Sequence, residues 1–267
     1  MILTASNYHS QEANEEFLGC SQYKDFAGTL GERGCEAMAL AKLRGIWKEE
    51  TTNSLLVGSY CDAHFEGTLD VFKAQNADLF TKAGKLKSEY VQAEEIIARI
   101  ERDPYFMACM GGEKQVIFTA DIFGAKWKIK IDSFHPGKAI VDLKIMKSIR
   151  EGFWVKDFGK MNFIDYWGYD IQAAIYQKVV EINTGKQVPF FIAAASKEKV
   201  ADIEVIGFDE KKMNETLIEV QNNVQRILDL KSGKVTPDRC GTCDFCKFTK
   251  VLTGAIHYSD LLEKASK

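Results

Sequence analysis

The sequence predicts an α/β (α+β) fold in which a central mixed β-sheet, including an antiparallel meander, is flanked by helices. Three changes in the spacing of apolar residues carry this prediction. The first hundred residues show helical spacing, and residues 113–147 show the alternation that is typical of strands. After residue 165 a helical pattern, two strand patterns and a long helical pattern follow in that order. This order of elements is typical of a sheet covered by helices.

Four segments of the N-terminal part predict helices. "CSQYKDFAGTL" and "CEAMALAKLRGIW" are short, whereas "TTNSLLVGSYCDAHFEG" opens on Thr, Asn and Ser as cap candidates and ends near Gly67. "SEYVQAEEIIARIERD" is amphipathic and stops before Pro104. We expect these segments to form an N-terminal helical extension over about residues 1–100.

The meander and the elements after it are predicted from alternation and turn residues. "EKQVIFTADIFGAKWKIKIDSF" and "AIVDLKIMK" form the meander, with turns at Ile122–Ala125 and around Pro136-Gly137. "DYWGYDIQAAIYQKVVEINTG" predicts one helix that ends at Gly185, followed by strands in "VPFFIAAAS" and "ADIEVIGF". A long helix, "EKKMNETLIEVQNNVQRILDLKSG", leads to a cysteine cluster at 240–246. No repeat or linker divides the chain, so we expect a single domain over residues 1–267.

Composition excludes some classes of protein. With 46% apolar residues and a net charge of −3, the chain is an ordinary globular protein without a general basic coat for nucleic acid, although a local basic groove stays possible. No apolar run is long enough for a signal peptide or a membrane span, which predicts a cytoplasmic protein. Cysteines in that compartment are reduced, so clustered ones indicate metal binding or catalysis.

The strand "AIVDLKIMK" is unusual because it carries charges within an apolar run. Side chains two residues apart share a face, so Asp142 and Lys144 lie opposite the apolar set of Val141, Leu143 and Ile145. The preceding strand divides in the same way into two sets, which are Lys128, Lys130 and Asp132, and Trp127, Ile129 and Ile131.

If both apolar sets face one core, odd-numbered residues of one strand must pair with odd-numbered residues of the other. The two residue numbers of each pair then have an even sum, as for Asp132 and Asp142. An odd loop, such as His135–Ala139, would give this register. It would bring Asp132, Asp142 and Lys144 together on one face. Two adjacent carboxylates favour a cation such as Mg²⁺ or Mn²⁺, and the lysine can orient or deprotonate a water. The alternative is a solvent-facing strand with an Asp–Lys pair.

These residues resemble the motif of a known nuclease superfamily. Asp132, then Asp142-Leu143-Lys144, then Gln172 and Tyr176 as Q-x-x-x-Y on the next helix, are similar to the PD-(D/E)XK superfamily and its RecB-like branch. Within that branch the sequence most resembles phage exonucleases of the RecE type.

The resemblance implies a restriction-endonuclease-like core and Mg²⁺-dependent hydrolysis of DNA. It implies that Asp132, Asp142 and the backbone carbonyl of Leu143 are metal ligands, and that Lys144 positions the attacking water. Gln172 and Tyr176 would support this site.

One position departs from the family pattern. The RecB-like branch usually carries G-x-x-x-H on the early helix, but four residues after Gly58 this chain has Asp62. Glu66 shares the helix face of Asp62, whereas His64 lies about 200° around the helix. We therefore expect Asp62 to serve the metal site, with Glu66 as the second candidate, and His64 to be structural or on the surface.

Basic and aromatic residues alternate between the motif strand and the Q-x-x-x-Y helix. Such a segment can grip a DNA strand through phosphate contacts and base stacking, or its rings can pack inward under a mobile loop. The candidate DNA-binding residues are Lys147, Arg150, Trp154, Lys156 and Lys160.

The cysteine cluster predicts a second metal site. Cys240, Cys243 and Cys246 form C-x-x-C-x-x-C, and a metal needs a fourth ligand. Relatives in the RecB-like branch hold a [4Fe–4S] cluster between one N-terminal cysteine, a position that Cys35 matches, and three C-terminal ones. Zinc and an empty reduced site are the alternatives, and the role would be to staple the C-terminal tail to the N-terminal helices.

The function expected from these observations is a Mg²⁺-dependent DNA exonuclease of phage recombination type, which supplies single strands to a single-strand annealing protein. A homo-oligomer is expected by analogy. The alternatives are an endonuclease, a nuclease of the CRISPR-adaptation kind, and a catalytically silent DNA-binding protein on the same fold.

Overall fold

The computed structural model describes residues 1–49 and 52–259 of the chain. The helices among them are α1 (Gln11–Glu16), α2 (Cys20–Ala27), α3 (Glu36–Leu43), α4 (Asn53–Glu66), α5 (Leu69–Gln75), α6 (Ser88–Glu101), α7 (Pro104–Cys109), α8 (Phe163–Trp167), α9 (Tyr169–Thr184), α10 (Glu210–Lys231) and α11 (Asp244–Phe248). The strands are β1 (Val116–Ile122), β2 (Ala125–Ile131), β3 (Ser133–His135), β4 (Ala139–Met146), β5 (Phe153–Val155), β6 (Gly159–Met161), β7 (Phe190–Ser196) and β8 (Ile203–Gly207).

A four-stranded mixed sheet lies at the centre of the fold. Its strand order is β3-β4-β7-β8, with β4 and β7 parallel and the outer pairs antiparallel. Helices cover both faces, α9 and α10 on one side and α4 and α6 on the other. The predicted mixed sheet flanked by helices, with a restriction-endonuclease-like architecture, is therefore confirmed. Among the described residues, no helix combines the length and the apolar character needed to cross a bilayer.

The meander has the predicted turns but is divided between two sheets. β1 and β2 pair with each other around Phe123 and Gly124, whose φ angles of 54° and 79° make a two-residue turn. β3 and β4 pair as Ser133 with Val141 and His135 with Ala139. These numbers have even sums, and the loop between the strands is odd, as predicted.

The prediction that the two apolar sets face one core is wrong. The apolar set of β2 packs against α9 and α10, whereas Val141 and Leu143 pack against α4 and α6. Two features explain the difference. β4 is an interior strand that is covered on both faces, and the alternation of β2 is interrupted at Asp132, so that Ile131 and Phe134 lie in the same core despite their odd separation.

The helix predicted over residues 165–185 is two helices. α8 ends at Gly168, which has a left-handed φ of 61°, and α9 begins at Tyr169. Asp165 therefore does not share the face of α9, and its carboxylate instead pairs with Lys212 at 2.9 Å. By contrast, α4 begins after the Thr52 cap and ends at Gly67 in the left-handed region, as predicted.

Candidate active site

A cavity of about 610 Å³ opens between β4, α2, α4, α9 and the N-terminal segment. It gathers every residue that the sequence predicts for the catalytic and Mg²⁺ sites. These residues are Asp62, Glu66, Asp132, Asp142, Leu143, Lys144, Gln172 and Tyr176.

Asp132 reaches the site because the chain leaves β2 at this residue. Its Oδ2 accepts a hydrogen bond of 3.0 Å from the backbone N–H of Leu143, and its Oδ1 accepts one of 3.3 Å from Gln115 Nε2. The carboxylate thus occupies the place of a neighbouring strand and satisfies a donor of β4. Burial and the nearby Asp142 raise the pKa of Asp132 to about 7.

Asp142 is buried in the middle of β4, where α9 covers it. Its Oδ1 accepts a hydrogen bond of 2.6 Å from Gln172 Nε2, which crosses from α9. Its Oδ2 forms an ion pair with the Lys144 ammonium group. The Gln172 amide therefore fixes the orientation of this carboxylate.

Lys144 is a charged group in the cavity. Burial alone would lower its pKa, but Asp142 and Asp132 outweigh this effect and raise the pKa above its usual value. Its Nζ also lies 5.3 Å from the centre of the Tyr169 ring. An ammonium group held in this way can stabilise negative charge.

Tyr176 supports the strand that carries two lysines of the cavity. Its hydroxyl donates a hydrogen bond of 3.1 Å to the backbone carbonyl of Lys130, and burial raises its pKa well above the ordinary value. The group is therefore a neutral donor that holds β2 against α9.

The early helix α4 places its acidic residues in the cavity and its histidine outside. Burial and the charge of Asp132 raise the pKa of Asp62 well above its usual range. Glu66 lines the same cavity. His64 instead forms a hydrogen bond of 2.9 Å with Glu101 and is not part of the cavity wall. This placement agrees with the preference for Asp62 over His64.

One wall of the cavity was not predicted from the sequence. It includes Tyr8, His9 and Asn14 from the N-terminal segment. The ammonium group of the buried Lys128 holds this segment in place, since its Nζ donates to the carbonyl of Tyr8 at 2.5 Å and to Oδ1 of Asn14 at 2.7 Å. Lys24, also in the wall, donates to the carbonyl of Trp167 at 3.1 Å. In the sequence, these contacts were indicated only by the polar set of β2, which includes Lys128.

The predicted DNA-binding residues lie outside the cavity, on and beside the β5–β6 hairpin. Trp154 is 79% exposed, and Lys156 and Lys160 are also exposed. Lys147 and Arg150 are engaged in ion pairs, with Glu151 and with Asp202 and Glu204, respectively.

The structure brings the four predicted cysteine ligands together. The Sγ atoms of Cys35, Cys240, Cys243 and Cys246 all lie within 4.8 Å of one another. Cys35 stands at the beginning of α3, and Cys246 lies in α11. The remaining cysteines, Cys20, Cys61 and Cys109, lie apart from this group.

The acidic residues of the cavity have the donor atoms that Mg²⁺ or Mn²⁺ requires. Asp62, Asp132 and Asp142 present carboxylates in a buried place, and burial together with their mutual repulsion raises the pKa values of Asp62 and Asp132. Among the described residues, Oδ2 of Asp142 contacts only the Lys144 ammonium group, and a carboxylate oxygen can take a further partner. The donor set fits a divalent cation.

Comparison with known proteins identifies a family and a close structural relative. The model of a family described as "PDDEXK-like domain of unknown function (DUF3799)" matches residues 19–249. The crystal structure of a "putative exonuclease" from Eubacterium rectale is similar with a TM-score of 0.96 and 54% sequence identity, over 98% of each chain. No curated protein matches the chain.

Proposed function

Because the chain belongs to the family of PDDEXK-like domains, we propose that it is a metal-dependent deoxyribonuclease that removes nucleotides from DNA ends. Membership confirms the PD-(D/E)XK superfamily predicted from the motif. The observation that carries the proposal is the meeting of Asp132, Asp142 and Lys144 in one cavity. The structure from Eubacterium rectale is described as a "putative exonuclease", and this description supports hydrolysis that starts at DNA ends.

The metal ligands in this proposal are oxygen atoms of the cavity. Asp132, Asp142 and the carbonyl of Leu143 would hold Mg²⁺ or Mn²⁺, and Asp62 and Glu66 would complete or adjust the set. A bound divalent ion supplies positive charge that polarises a phosphate and lowers the pKa of a water. Its binding would also favour ionised carboxylates at neutral pH.

The other residues of the cavity act by position and charge. Lys144, as an ammonium group, orients the attacking water and neutralises charge that develops on the phosphate. Gln172 holds Asp142 in one orientation through its 2.6 Å hydrogen bond. Tyr176 fixes β2, and with it Lys130, at the mouth of the site.

DNA would reach the cavity across the β5–β6 hairpin. The exposed ring of Trp154 offers a face for an unstacked base, and Lys156 and Lys160 offer charges for phosphates. Lys147 and Arg150 would join them only by exchanging their present carboxylate partners for phosphates.

The biological setting of the proposal comes from the motif resemblance to RecE-type exonucleases. We place the enzyme in phage-type recombination or repair, where it would produce single strands for a single-strand annealing protein. A homo-oligomer and a cytoplasmic location belong to the same proposal. The seven unpaired cysteines agree with a reducing compartment.

The test is digestion of end-labelled linear duplex and of closed circular duplex, with Mg²⁺ and with chelator. We expect the linear DNA alone to be degraded, and Lys144→Ala to reduce the rate about 100-fold or more. The exposed Lys211, whose ion-pair partner among the described residues is Glu215 at 3.9 Å, provides the matched control Lys211→Ala.

Each outcome bears on a different part of the proposal. Cleavage of circles would favour an endonuclease or a CRISPR-adaptation-like nuclease. Equal rates for Lys144→Ala and the parent would refute the site, and DNA binding without any hydrolysis would identify a silent DNA-binding protein.

A further inference from the structure

Four thiols from the two ends of the chain meet at one place. Cys35 precedes α3, whereas Cys240, Cys243 and Cys246 come from the segment that ends in α11. Cys35 and Cys246 are buried, and the other two are half-buried. The sulfur atoms of Cys35 and Cys246 lie 3.5 Å apart, which is too far for a disulfide bond of about 2.05 Å.

The distances between the sulfur atoms indicate the size of the ligand. Around a single tetrahedral zinc ion, with bonds of about 2.3 Å, the sulfur atoms lie about 3.8 Å apart. The observed separations are 3.5 Å for Cys35 with Cys246 and 3.9 Å for Cys240 with Cys246, and no pair of the four exceeds 4.8 Å. A [4Fe–4S] cluster places an iron–sulfide cube between its cysteines and holds their sulfur atoms farther apart.

Donor groups around the sulfur atoms fit thiolates. The N–H of Cys243 points to Sγ of Cys240 at 3.3 Å, and the N–H of Cys246 points to Sγ of Cys243 at 3.4 Å. The hydroxyl of Thr242 donates to Sγ of Cys240 at 3.7 Å. Each of these contacts stabilises negative charge on sulfur, which a metal ligand carries.

We propose that Cys35, Cys240, Cys243 and Cys246 bind one tetrahedral zinc ion and not the [4Fe–4S] cluster that the family resemblance implies. The ion fastens the C-terminal segment to α3. Direct hydrogen bonds run beside it, from the N–H of Asp238 to Glu36 at 2.7 Å and from the N–H of Ala37 to the carbonyl of Asp238 at 3.1 Å. The metal would add coordinate bonds to these contacts, so its loss should weaken the attachment of the C-terminal segment to α3.

Metal analysis of the full-length protein, purified without oxygen, tests the inference independently of nuclease activity. We expect about one zinc ion per chain and neither iron nor acid-labile sulfide. Replacement of zinc by Co²⁺ should give the visible absorption of a tetrahedral thiolate site. Iron and sulfide in equal amounts with a broad absorption near 400 nm would overturn the inference, and so would a chain that contains no metal and gives no such Co²⁺ spectrum.

Single substitutions locate the ion. Cys243→Ser should reduce the zinc content to less than half and lower the melting temperature, whereas Cys109→Ser, outside the cluster, should leave the zinc content unchanged. Full zinc retention in Cys243→Ser would refute the assignment. If Cys243→Ser does not fold, titration of the parent with a zinc chelator gives the same information, because loss of zinc should destabilise the protein to heat.

Discussion

Asp132→Asn should make the protein more stable while it removes the nuclease activity. In the folded chain, burial and the charge of Asp142 raise the pKa of Asp132 from 3.8 to about 7. Above neutral pH the folded protein therefore carries an ionised carboxylate in an unfavourable place. Asparagine has the same shape and no charge, so the substitution removes this cost together with a metal ligand.

The hydrogen bonds of the site can survive the substitution. The new Oδ1 would accept from the N–H of Leu143, as Oδ2 of Asp132 does at 3.0 Å. The new Nδ2 would donate to Oε1 of Gln115 after the Gln115 amide turns over, and this oxygen receives no hydrogen bond from the described residues at present. The substitution therefore removes the buried charge without leaving a buried hydrogen-bond donor unsatisfied, and the gain in folding stability is kept.

The magnitude follows from the pKa difference. A change from 3.8 to about 7 corresponds to about 4 kcal/mol at pH 8, and because Asp62 and Asp142 share the same excess charge, we expect ~2 kcal/mol. For a chain of this size the melting temperature should rise by about 5 °C. An acid whose folded pKa is raised costs stability as the pH rises from about 4 to about 7, so the gain should shrink as the pH falls through that range.

Thermal unfolding in chelator at several pH values measures the effect. Asp132→Ala is the matched control, because it removes the charge but leaves the N–H of Leu143 without an acceptor, and it should gain less than Asp132→Asn by about 1 kcal/mol or more. Mg²⁺ should raise the melting temperature of the parent and not that of Asp132→Asn. If Asp132→Asn is less stable than the parent at pH 8 in chelator, the electrostatic reasoning is wrong.

Three further predictions address the metal site, the DNA path and the fold. Asp62→Asn should lower the Mg²⁺-dependent rate at least about 10-fold, whereas His64→Ala should change it less than twofold; the reverse order would restore the histidine of the family pattern. Trp154→Ala should raise KM for linear DNA about 10-fold and leave kcat unchanged, and an unchanged KM would exclude base stacking there. Gly168→Ala should cost about 2 kcal/mol in chemical unfolding, because its φ is 61° and a Cβ would lie 2.8 Å from a threonine side chain, whereas Gly185→Ala, with similar φ and open space, should cost about half.

Local patterns predicted the elements of the site because their signals lie within a few residues. The pairing register of β3 and β4 agrees with the alternation in "AIVDLKIMK" and with an odd loop after His135, although the premise of one core for both apolar sets is wrong. The cap at Thr52 and the stop at Gly67 were similarly visible. Gly168 could not be interpreted in this way, because a glycine within a helical pattern is compatible with both a continuous and a broken helix.

Contacts between distant parts of the chain left no local signal. Lys128 holds Tyr8 and Asn14 across more than a hundred residues, and a lysine in an alternating strand predicts only a polar face. The β5–β6 hairpin was missed as a hairpin because its strands are three residues long. The N-terminal wall of the cavity thus depends on packing that only the folded chain displays.

One feature of the chain explains both why the apolar sets of β2 and β4 face different cores and why Asp132 and Asp142 lie in one cavity. A continuous strand through residues 125–135 would have placed the apolar set of β2 and Phe134 on opposite faces. The chain instead breaks its alternation at Asp132, so that both remain in one core, and the carboxylate takes over the hydrogen bond that a neighbouring strand would have given to Leu143. The interrupted alternation at Asp132 therefore keeps the apolar residues in one core and also directs the Asp132 carboxylate towards Asp142.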